Sequence, residues 1–393
     1  MTATREIAAV KAVNDDFALK ISLEGSKAGR ELSASFNITD FTTQTASIYD
    51  QVIRTRPTGF LRSFFQEKVI PTKTADIRVR KAYESVAVDT DRQSQGDFVK
   101  ALVGTQKNVE PPYYQISFDQ VDTQIYDMFW NTASWNANVG AQAANGIAMM
   151  MAEVQKMLER AEELQVAQVF HNGVITSFKD GSTINFGRKA GSMVDLGAGN
   201  YWSDSGTNPY LDIQAGGDFL RKYGLMQSGK MIAIMGYKVK EALLTNPLVS
   251  VRSDIKMWKI DDFNRPERVP AGGVFDGVIG AGPYTVQLMS YPAWYNDPTA
   301  VLSTNTKLPY VAPNEMILIP AELTETQFDL VYCQVPNIAH VLAGDTSALP
   351  MQKRLFEVIV DPNLQYIRYR VKSAPIAIPT SLDSIYTIKC LAS

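Results

Sequence analysis

The segment from Gly224 to Met231 comes closest to a known nucleotide-binding motif. Its letters, GLMQSGKM, contain the GxxxxGK spacing of a phosphate-binding P-loop, with Lys230 as the lysine. The hydroxyl that would bind magnesium in a P-loop is replaced by Met231. The pattern also predicts a helix before this loop and a strand after it, whereas a P-loop opens a helix so that its amides converge on phosphate. A soluble α/β nucleotide-binding enzyme is therefore kept only as an alternative.

Other residue patterns that could do chemistry are incomplete. The segment DTDRQSQGD, residues 89–97, offers oxygen ligands for calcium, but its glycine falls two places too late for an EF-hand and no glutamate follows at the twelfth position. His171 and His340 stand outside any zinc-binding spacing. The chain also lacks the GxSxG elbow of serine hydrolases.

Four glutamates, at positions 153, 159, 162 and 163, lie on a predicted helix. Pairing along that helix with Lys156 and Arg160 explains them without general acid–base chemistry. The sequence therefore predicts no catalytic, cofactor-binding or metal-binding residues, and we do not expect an enzyme.

The composition describes a globular chain of 393 residues with 45% hydrophobic and 20% charged residues. Its net charge of −3, from 38 basic and 41 acidic residues, argues against a surface that grips nucleic acid, although not against a protein that encloses it. Cys333 and Cys390 stand far apart, which favours a reducing compartment over a single disulfide. We expect no signal peptide and no transmembrane helix, because no sufficiently long apolar run is present.

The segment of residues 140–172 is predicted to be one long helix. Apolar residues recur at three-to-four spacing from Ile147 through Leu158 to Leu164, and most other positions favour helix. Asn172 and Gly173 provide the C-terminal stop. At 1.5 Å per residue this spine helix would be roughly 50 Å long.

The chain before the spine helix is predicted to contain an arm, a short core helix and a hairpin. Residues 1–58 show no sustained period and are interpreted as an N-terminal arm. The cluster FLRSFF, residues 60–65, is expected to bury its rings in the core. Alternating residues near Ile77 and from Tyr114 to Phe118 predict a long hairpin with a polar tip. Since a lone two-stranded ribbon is marginally stable, we expect it to lie on a neighbouring subunit.

Strands and helices alternate after the spine helix. Two short strands flank the turn at residues 179–181, and Asn208 with Pro209 signals the start of a helix. A buried strand, KMIAIM, precedes a helix that should stop at Pro247. Residues from 209 to about 330 therefore read as an α/β subdomain, and strands near the C-terminus complete the chain. A large core with projecting segments, and no candidate catalytic, cofactor-binding or metal-binding residues, indicates a subunit of a larger assembly.

The order of these parts resembles the major capsid proteins of tailed phages with the HK97-type fold. Local phrases are similar to the lambda-like major capsid protein E family: FLRSFF, SMVDLGAGNYWSD after the spine helix, the helix that Pro209 opens, and the ending RVKSAPIAIPTSLDSIYTIKCLAS. The resemblance covers about residues 59–393. It implies an α+β fold with an N-terminal arm (1–58), a peripheral domain (59–67 and 121–208, with return strands 336–393), an extended loop (68–120) and an α/β axial domain (209–335).

The resemblance also implies a function. Pentamers and hexamers of the chain would form an icosahedral shell around double-stranded phage DNA, assembled in the host cytoplasm and retained in the virion. The implied partners are other copies of the chain, a scaffolding protein and a portal protein, with no membrane and no cofactor. Some members of the family also carry a decoration protein. An encapsulating nanocompartment shell of the same fold is the main alternative.

Overall fold

The fold is taken from a computed structural model, which describes residues 59–79, 105–121, 139–179, 181–204, 206–224, 226–252, 267–268, 272–298, 306–322, 327–335, 353–361 and 366–392. The predicted arm, the calcium-like segment and His340 lie outside these residues.

The described elements are four α-helices and nineteen strands, numbered in chain order. The helices are α1 (Val139–Asn172), α2 (Pro209–Tyr223), α3 (Tyr237–Thr245) and α4 (Pro247–Arg252). The strands are β1 (Gln66–Ile70), β2 (Ala75–Val79), β3 (Thr105–Val109), β4 (Tyr114–Val121), β5 (Val174–Thr176), β6 (Thr183–Asn185), β7 (Met193–Asp195), β8 (Lys230–Met235), β9 (Glu267–Arg268), β10 (Val274–Ala281), β11 (Tyr284–Ser290), β12 (Trp294–Asn296), β13 (Lys307–Pro309), β14 (Glu315–Pro320), β15 (Phe328–Cys333), β16 (Leu355–Asp361), β17 (Tyr366–Ser373), β18 (Pro375–Pro379) and β19 (Tyr386–Lys389).

The spine helix is confirmed as α1, which begins one residue earlier than predicted and ends at the predicted Asn172. Gly173 follows with a φ of 70°, a conformation that glycine adopts without steric cost. Its amide donates to the carbonyl of Val169 at 3.0 Å, which satisfies one of the free carbonyls at the helix end. Leu158 and Phe170 are among the fully buried side chains of this helix.

The predicted ribbon exists, but one of its strands was assigned wrongly. β2 pairs antiparallel with β3, from Ala75 opposite Val109 to Val79 opposite Thr105. The expected partner strand, which begins at Tyr114, lies instead in the sheet of order β16-β17-β4. Two prolines at positions 111 and 112 separate β3 from β4, and proline cannot donate to a strand ladder. β3 has the sequence TQKNV, with a single apolar residue, so an alternating hydrophobic pattern could not have predicted this strand.

A seven-stranded sheet of order β7-β19-β14-β8-β11-β10-β9 separates two cores. β8 runs parallel to β11 and antiparallel to β14. Alternate residues of β8 serve opposite faces: Ile232 and Ile234 belong to one core, whereas Met231, Ala233 and Met235 belong to the other with residues of α2 and α3. This two-residue period is the geometry of a pleated strand covered on both faces.

The start of α2 is confirmed, and the end predicted at Pro247 is only partly correct. The side chain of Asn208 accepts a hydrogen bond from the Tyr210 amide at 3.2 Å, as an N-cap should. The strand that follows α2 is β8, as was also predicted. α3 ends at Thr245, but Pro247 then begins α4, with Asn246 accepting from the Leu248 amide at 3.0 Å. Proline suits the first helical position, because the amide hydrogen that it lacks would have no partner within the helix there.

A three-stranded sheet of order β1-β15-β18 contributes to the first core. The FLRSFF cluster packs here as predicted, as a 3-10 turn at Leu61–Phe64. Phe65 contacts Phe170 and Phe328, with ring centroids 5.4 and 5.3 Å apart. Aromatic rings bury a large apolar area, so these contacts stabilise a turn that is too short to be stable alone.

The chain forms two compact units. The described part of the smaller unit consists of residues 117–121, 139–155, 356–361 and 366–370. In it, the ring of Tyr369 stacks between Phe118, at 4.9 Å, and Phe356, at 6.4 Å. Arg368 donates to both carboxylate oxygens of Asp119, at 2.6 and 2.7 Å.

The predicted hairpin after the spine helix is confirmed, since β5 pairs antiparallel with β6.

Cys333 and Cys390 are both buried and free, so the disulfide alternative is not adopted. Burial raises the pKa of Cys333 to about 11 and also raises that of Cys390. In the part of the chain that the structure describes, no helix has the length and apolar character required to cross a membrane.

Candidate functional site

The strongest polar constellation in the larger unit is a set of paired charges built around three buried ones, which we call the buried charge network. Its members come from the 3-10 turn, β1, α1 and the residues just before β16, and they are Arg62, Glu67, Glu162, Lys353 and Arg354. Glu162 is completely buried, and Arg62 and Arg354 are 7% and 9% exposed. Buried charges are tolerated only when they are paired and hydrogen-bonded.

Glu162 stands at the centre of this network. Its carboxylate lies 2.7 Å from Nη1 of Arg62 and accepts from Nη2 of Arg354 at 3.0 and 3.2 Å. The hydroxyl of Tyr332 on β15 donates to it at 3.1 Å. Burial is the largest single influence on Arg62 and would lower its pKa, but Glu162, Tyr332 and Glu67 together outweigh it and raise the pKa above its ordinary value. One helical carboxylate thus holds three other elements in place.

Glu67 extends the network toward solvent. It accepts from Nη2 of Arg62 at 2.5 Å and from Nζ of Lys353. Burial would raise the pKa of Glu67, but the hydrogen bonds from Lys353 and Arg62 hold it below its ordinary value. Arg62 therefore bridges two carboxylates on different elements.

Glu163, the neighbour of Glu162, fastens the 3-10 turn to α1. Its carboxylate accepts from the backbone amides of Leu61 at 2.8 Å and Arg62 at 3.0 Å, so it caps the 3-10 turn from another element. Burial raises its pKa despite these hydrogen bonds. Gly59 makes room for the contact, because a Cβ there would lie 2.2 Å from Oε2 of Glu163.

The structure corrects the interpretation of the spine-helix glutamates. Pairing with Lys156 and Arg160 along the helix was expected, but Glu162 and Glu163 bind partners from distant parts of the chain. The rule for pairs three or four residues apart applies to exposed helix faces. These two side chains lie on the buried face, which their position between Ala161 and Leu164 of the apolar stripe could have signalled.

The other residues considered from the sequence do not converge on a reactive site. The segment around Lys230 joins the end of α2 to the start of β8, so a helix precedes it and a strand follows it, as predicted. Nδ1 of His171 lies 2.6 Å from Oε2 of Glu315, a hydrogen-bonding contact at a helix end. Within the described ranges, no three metal-ligating side chains come together.

The position of the buried charge network shows what it does. Arg62 belongs to the 3-10 turn and Arg354 directly precedes β16, and both pair with Glu162 of α1. The network therefore fixes these two distant points of the chain to α1. Its role is to position these elements.

Comparisons with known proteins agree with this structural role. The family model for phage major capsid protein E matches residues 40–390. A crystal structure described as a prophage capsid protein from E. coli CFT073 has a TM-score of 0.60 at 15% identity, covering 88% of this chain and 99% of its own. A phage-related protein from Bordetella bronchiseptica RB50 has a TM-score of 0.52 at 12% identity, covering 88% and 98%.

No curated protein gives a significant match. At these identities the two structures establish the fold, and the family match covers most of the sequence. The resemblance drawn from the sequence is thereby confirmed. The chain belongs to the phage major capsid protein E family, structural proteins of the virion shell, and has their HK97-type fold.

Proposed function

We propose that this chain is the major capsid protein of a tailed phage, assembling as pentamers and hexamers into an icosahedral shell that encloses double-stranded DNA. The observation that carries the proposal is the family match over residues 40–390. The described residues also contain no metal-ligand cluster, and the nearest nucleotide-binding motif lies in the wrong structural context. We accordingly propose a structural role without catalysis or cofactors.

The ribbon supports assembly on physical grounds. Ala75 and Val109, at the base of the ribbon, are buried in the first core. Beyond Val79 and Thr105 lie residues 80–104, and two strands alone do not form a stable unit in water. A second copy of the chain would supply the missing surface.

The domain assignment remains part of the proposal. It has an arm at 1–58, a peripheral domain at 59–67 and 121–208 with return strands at 336–393, an extended loop at 68–120, and an axial domain at 209–335. In this scheme the partners are further copies, a scaffolding protein, a portal protein, a decoration protein and enclosed DNA. Assembly would take place in the host cytoplasm, and the product would be the virion.

Sedimentation and nuclease protection test the function together. The full chain is expressed alone and with its neighbouring genes, and lysates are separated on sucrose gradients. We expect a fast-sedimenting species of uniform size, and nuclease-resistant double-stranded DNA when the packaging genes are present. Shells that instead carry one specific enzyme would indicate a nanocompartment. A chain that stays monomeric under both conditions would contradict the proposal.

A further inference from the structure

We propose that an open cleft in the larger unit binds an extended acidic segment of a different protein, which adds as a strand to the outer edge of β12. The proposal deepens the proposed function and rests on it, because it names the chemistry by which the shell would recognise an assembly partner. The cleft has a volume of about 1170 Å³ and lies between α1, the β5–β6 hairpin, the β12–β13 hairpin and residues 110–114. This volume exceeds that of ordinary small-molecule pockets, so the cleft suits a peptide segment.

Large apolar side chains are exposed on the walls of the cleft. The lining includes Tyr113, Met157, Phe178 and Trp294, each between 43% and 49% exposed. Several such side chains around one concavity form an apolar patch of the kind that marks an interaction site. Because aromatic residues and methionine are enriched where proteins bind one another, these walls suit the apolar side chains of a protein partner.

Strand β12 borders the cleft, and its outer edge is covered by none of the described strands. Its sheet has two strands, and β13 is the other. The amide of Asp297 donates to the carbonyl of Thr306 at 2.9 Å, so the backbone at this position faces β13. In an antiparallel pair, successive residues direct their backbone groups alternately toward the partner strand and away from it. The amides and carbonyls of Trp294 and Asn296 therefore point away from β13, where an added strand could pair with them.

The neighbouring strand edges at the cleft are less suited to an added strand. On β5, the amide of Thr176 already donates to Oε1 of Gln168 at 3.1 Å. The amide of Val174 donates to Oδ1 of Asn172 at 3.0 Å. β13 contains Pro309, which has no amide hydrogen to donate. Among these three strands, β12 is therefore the one best suited to accept a further strand.

The walls of the cleft are fixed by contacts within the larger unit. Gln165 on α1 donates to the hydroxyl of Tyr114 at 2.8 Å, which joins the helix to the segment before β4. Tyr295 of β12 packs on Tyr310, with ring centroids 5.0 Å apart, which holds the β12–β13 hairpin on the first core. A preformed surface of this kind loses little conformational entropy on binding.

The charge of the lining favours an acidic occupant. Arg160, Lys179 and Lys307 line the cleft and are exposed, whereas Glu110 is the acidic residue among the described lining positions. Glu110 already pairs with Lys73 at 2.8 Å, so it does not offset the three basic side chains fully. Basic residues around such a cleft attract an acidic partner and fix its register.

The edge of β12 favours a peptide over nucleic acid as the acidic occupant. A phosphodiester backbone offers acceptors, so it could accept from the amides of Trp294 and Asn296 but would leave their carbonyls unpaired. A peptide backbone offers a donor and an acceptor at each residue and can satisfy both. Since side chains of a strand alternate between its two faces, the segment expected here alternates acidic residues, for the basic side chains, with apolar ones for the aromatic walls.

Peptide binding to the unassembled full chain tests the proposal. The probe is a short fluorescent peptide of alternating glutamate and valine, and fluorescence anisotropy measures its Kd. We expect saturable binding, which Lys179→Glu with Lys307→Glu should weaken at least about tenfold because like charges then face each other. Lys222→Glu, an exposed change outside the cleft lining, is the control and should leave the Kd unchanged. No saturable binding, an unchanged Kd in the double variant, or equally tight binding of a matched lysine–valine peptide would overturn the proposal.

A second pair of variants tests the strand edge itself. Asn296→Pro removes an amide hydrogen that points away from β13, and proline is tolerated at the open edge of a strand. Asn296→Ala removes the same side chain but keeps the amide. We expect Asn296→Pro to weaken peptide binding about tenfold, whereas Asn296→Ala should leave it unchanged, with circular dichroism verifying that both variants fold. Equal Kd values for the two folded variants would overturn strand addition.

Other occupants would give different results in the same assays. An oligothymidylate that binds as tightly as the peptide, with a Kd that Asn296→Pro leaves unchanged, would make the cleft a nucleic-acid surface. A changed oligomeric state of Lys179→Glu with Lys307→Glu in sedimentation, without any peptide present, would assign the cleft to a second copy of the chain. Either result would overturn the proposal.

Sedimentation of the full chain, co-expressed with its neighbouring genes, separates this proposal from the proposed function. Peptide binding that depends on the cleft, from a chain that forms no shells, would refute the proposed function and leave the cleft as a peptide-binding site. Shells from a chain whose cleft binds no acidic peptide would refute the cleft and leave the function standing. Shells together with cleft-dependent binding are the expected result.

Discussion

Glu162→Gln tests whether the buried charge network holds the larger unit together. The amide matches the carboxylate in shape but removes the negative charge that faces Arg62 and Arg354 at 2.7 and 3.0 Å. Both guanidinium groups would then remain buried with one counter-charge fewer. Breaking a buried ion pair by removing one partner costs about 3–5 kcal/mol, mostly because a charge is left without compensation. We expect Glu162→Gln to lower the free energy of unfolding by about that amount.

Glu110→Gln provides the matched control, because it makes the same chemical change at an exposed ion pair. Glu110 and Lys73 are 65% and 71% exposed, and such pairs contribute at most about 1 kcal/mol. Guanidinium unfolding of the unassembled chain, followed by circular dichroism, compares the two variants. If both variants lose less than about 1 kcal/mol, the network does not stabilise the fold and the reasoning is wrong.

Three further predictions address single positions. Gly59→Ala should displace Glu163 from the amides that it caps and cost about 1–3 kcal/mol, whereas Gly280→Ala, where an added Cβ meets nothing within 4 Å, should cost less; equal losses in thermal unfolding would argue against the cap. Glu67→Gln should destabilise the protein fully at neutral pH. Because the folded pKa of Glu67 is depressed, that difference should begin to shrink as pH falls below the ordinary 4.5 and vanish only below the lower folded pKa; a pH-independent difference in unfolding would contradict the pairing. Cys333 should resist a thiol reagent at pH 8 until the chain unfolds, since burial disfavours the thiolate; rapid labelling of folded protein would contradict its burial.

The sequence was sufficient for elements whose signals are local. Three-to-four spacing and the Asn172–Gly173 stop predicted α1 to within one residue. Asn208 and Pro209 predicted the start of α2 because cap chemistry depends on adjacent residues. The family resemblance followed from short sequence segments whose side chains pack in the core, such as the aromatic cluster at residues 60–65.

The features that escaped prediction depend on contacts between distant residues. β3 has one buried apolar residue, Val109, so its pairing with β2 left no periodic trace. Glu162 could be placed on the helix, but its partners are 100 and 192 positions away along the chain and no spacing rule connects them. A cleft lined by α1, the β5–β6 hairpin, the β12–β13 hairpin and residues 110–114 likewise combines four chain segments, and only the folded structure brings their side chains together.

The most direct test of the central claim is electron microscopy of the full-length chain, purified alone and after co-expression with its neighbouring genes. The account predicts closed round particles of uniform diameter, with fivefold and sixfold capsomers visible in averaged images. Monomers or small dimers under both conditions would contradict a shell-forming role, and Lys230→Ala would then be the first variant to examine for loss of nucleotide binding.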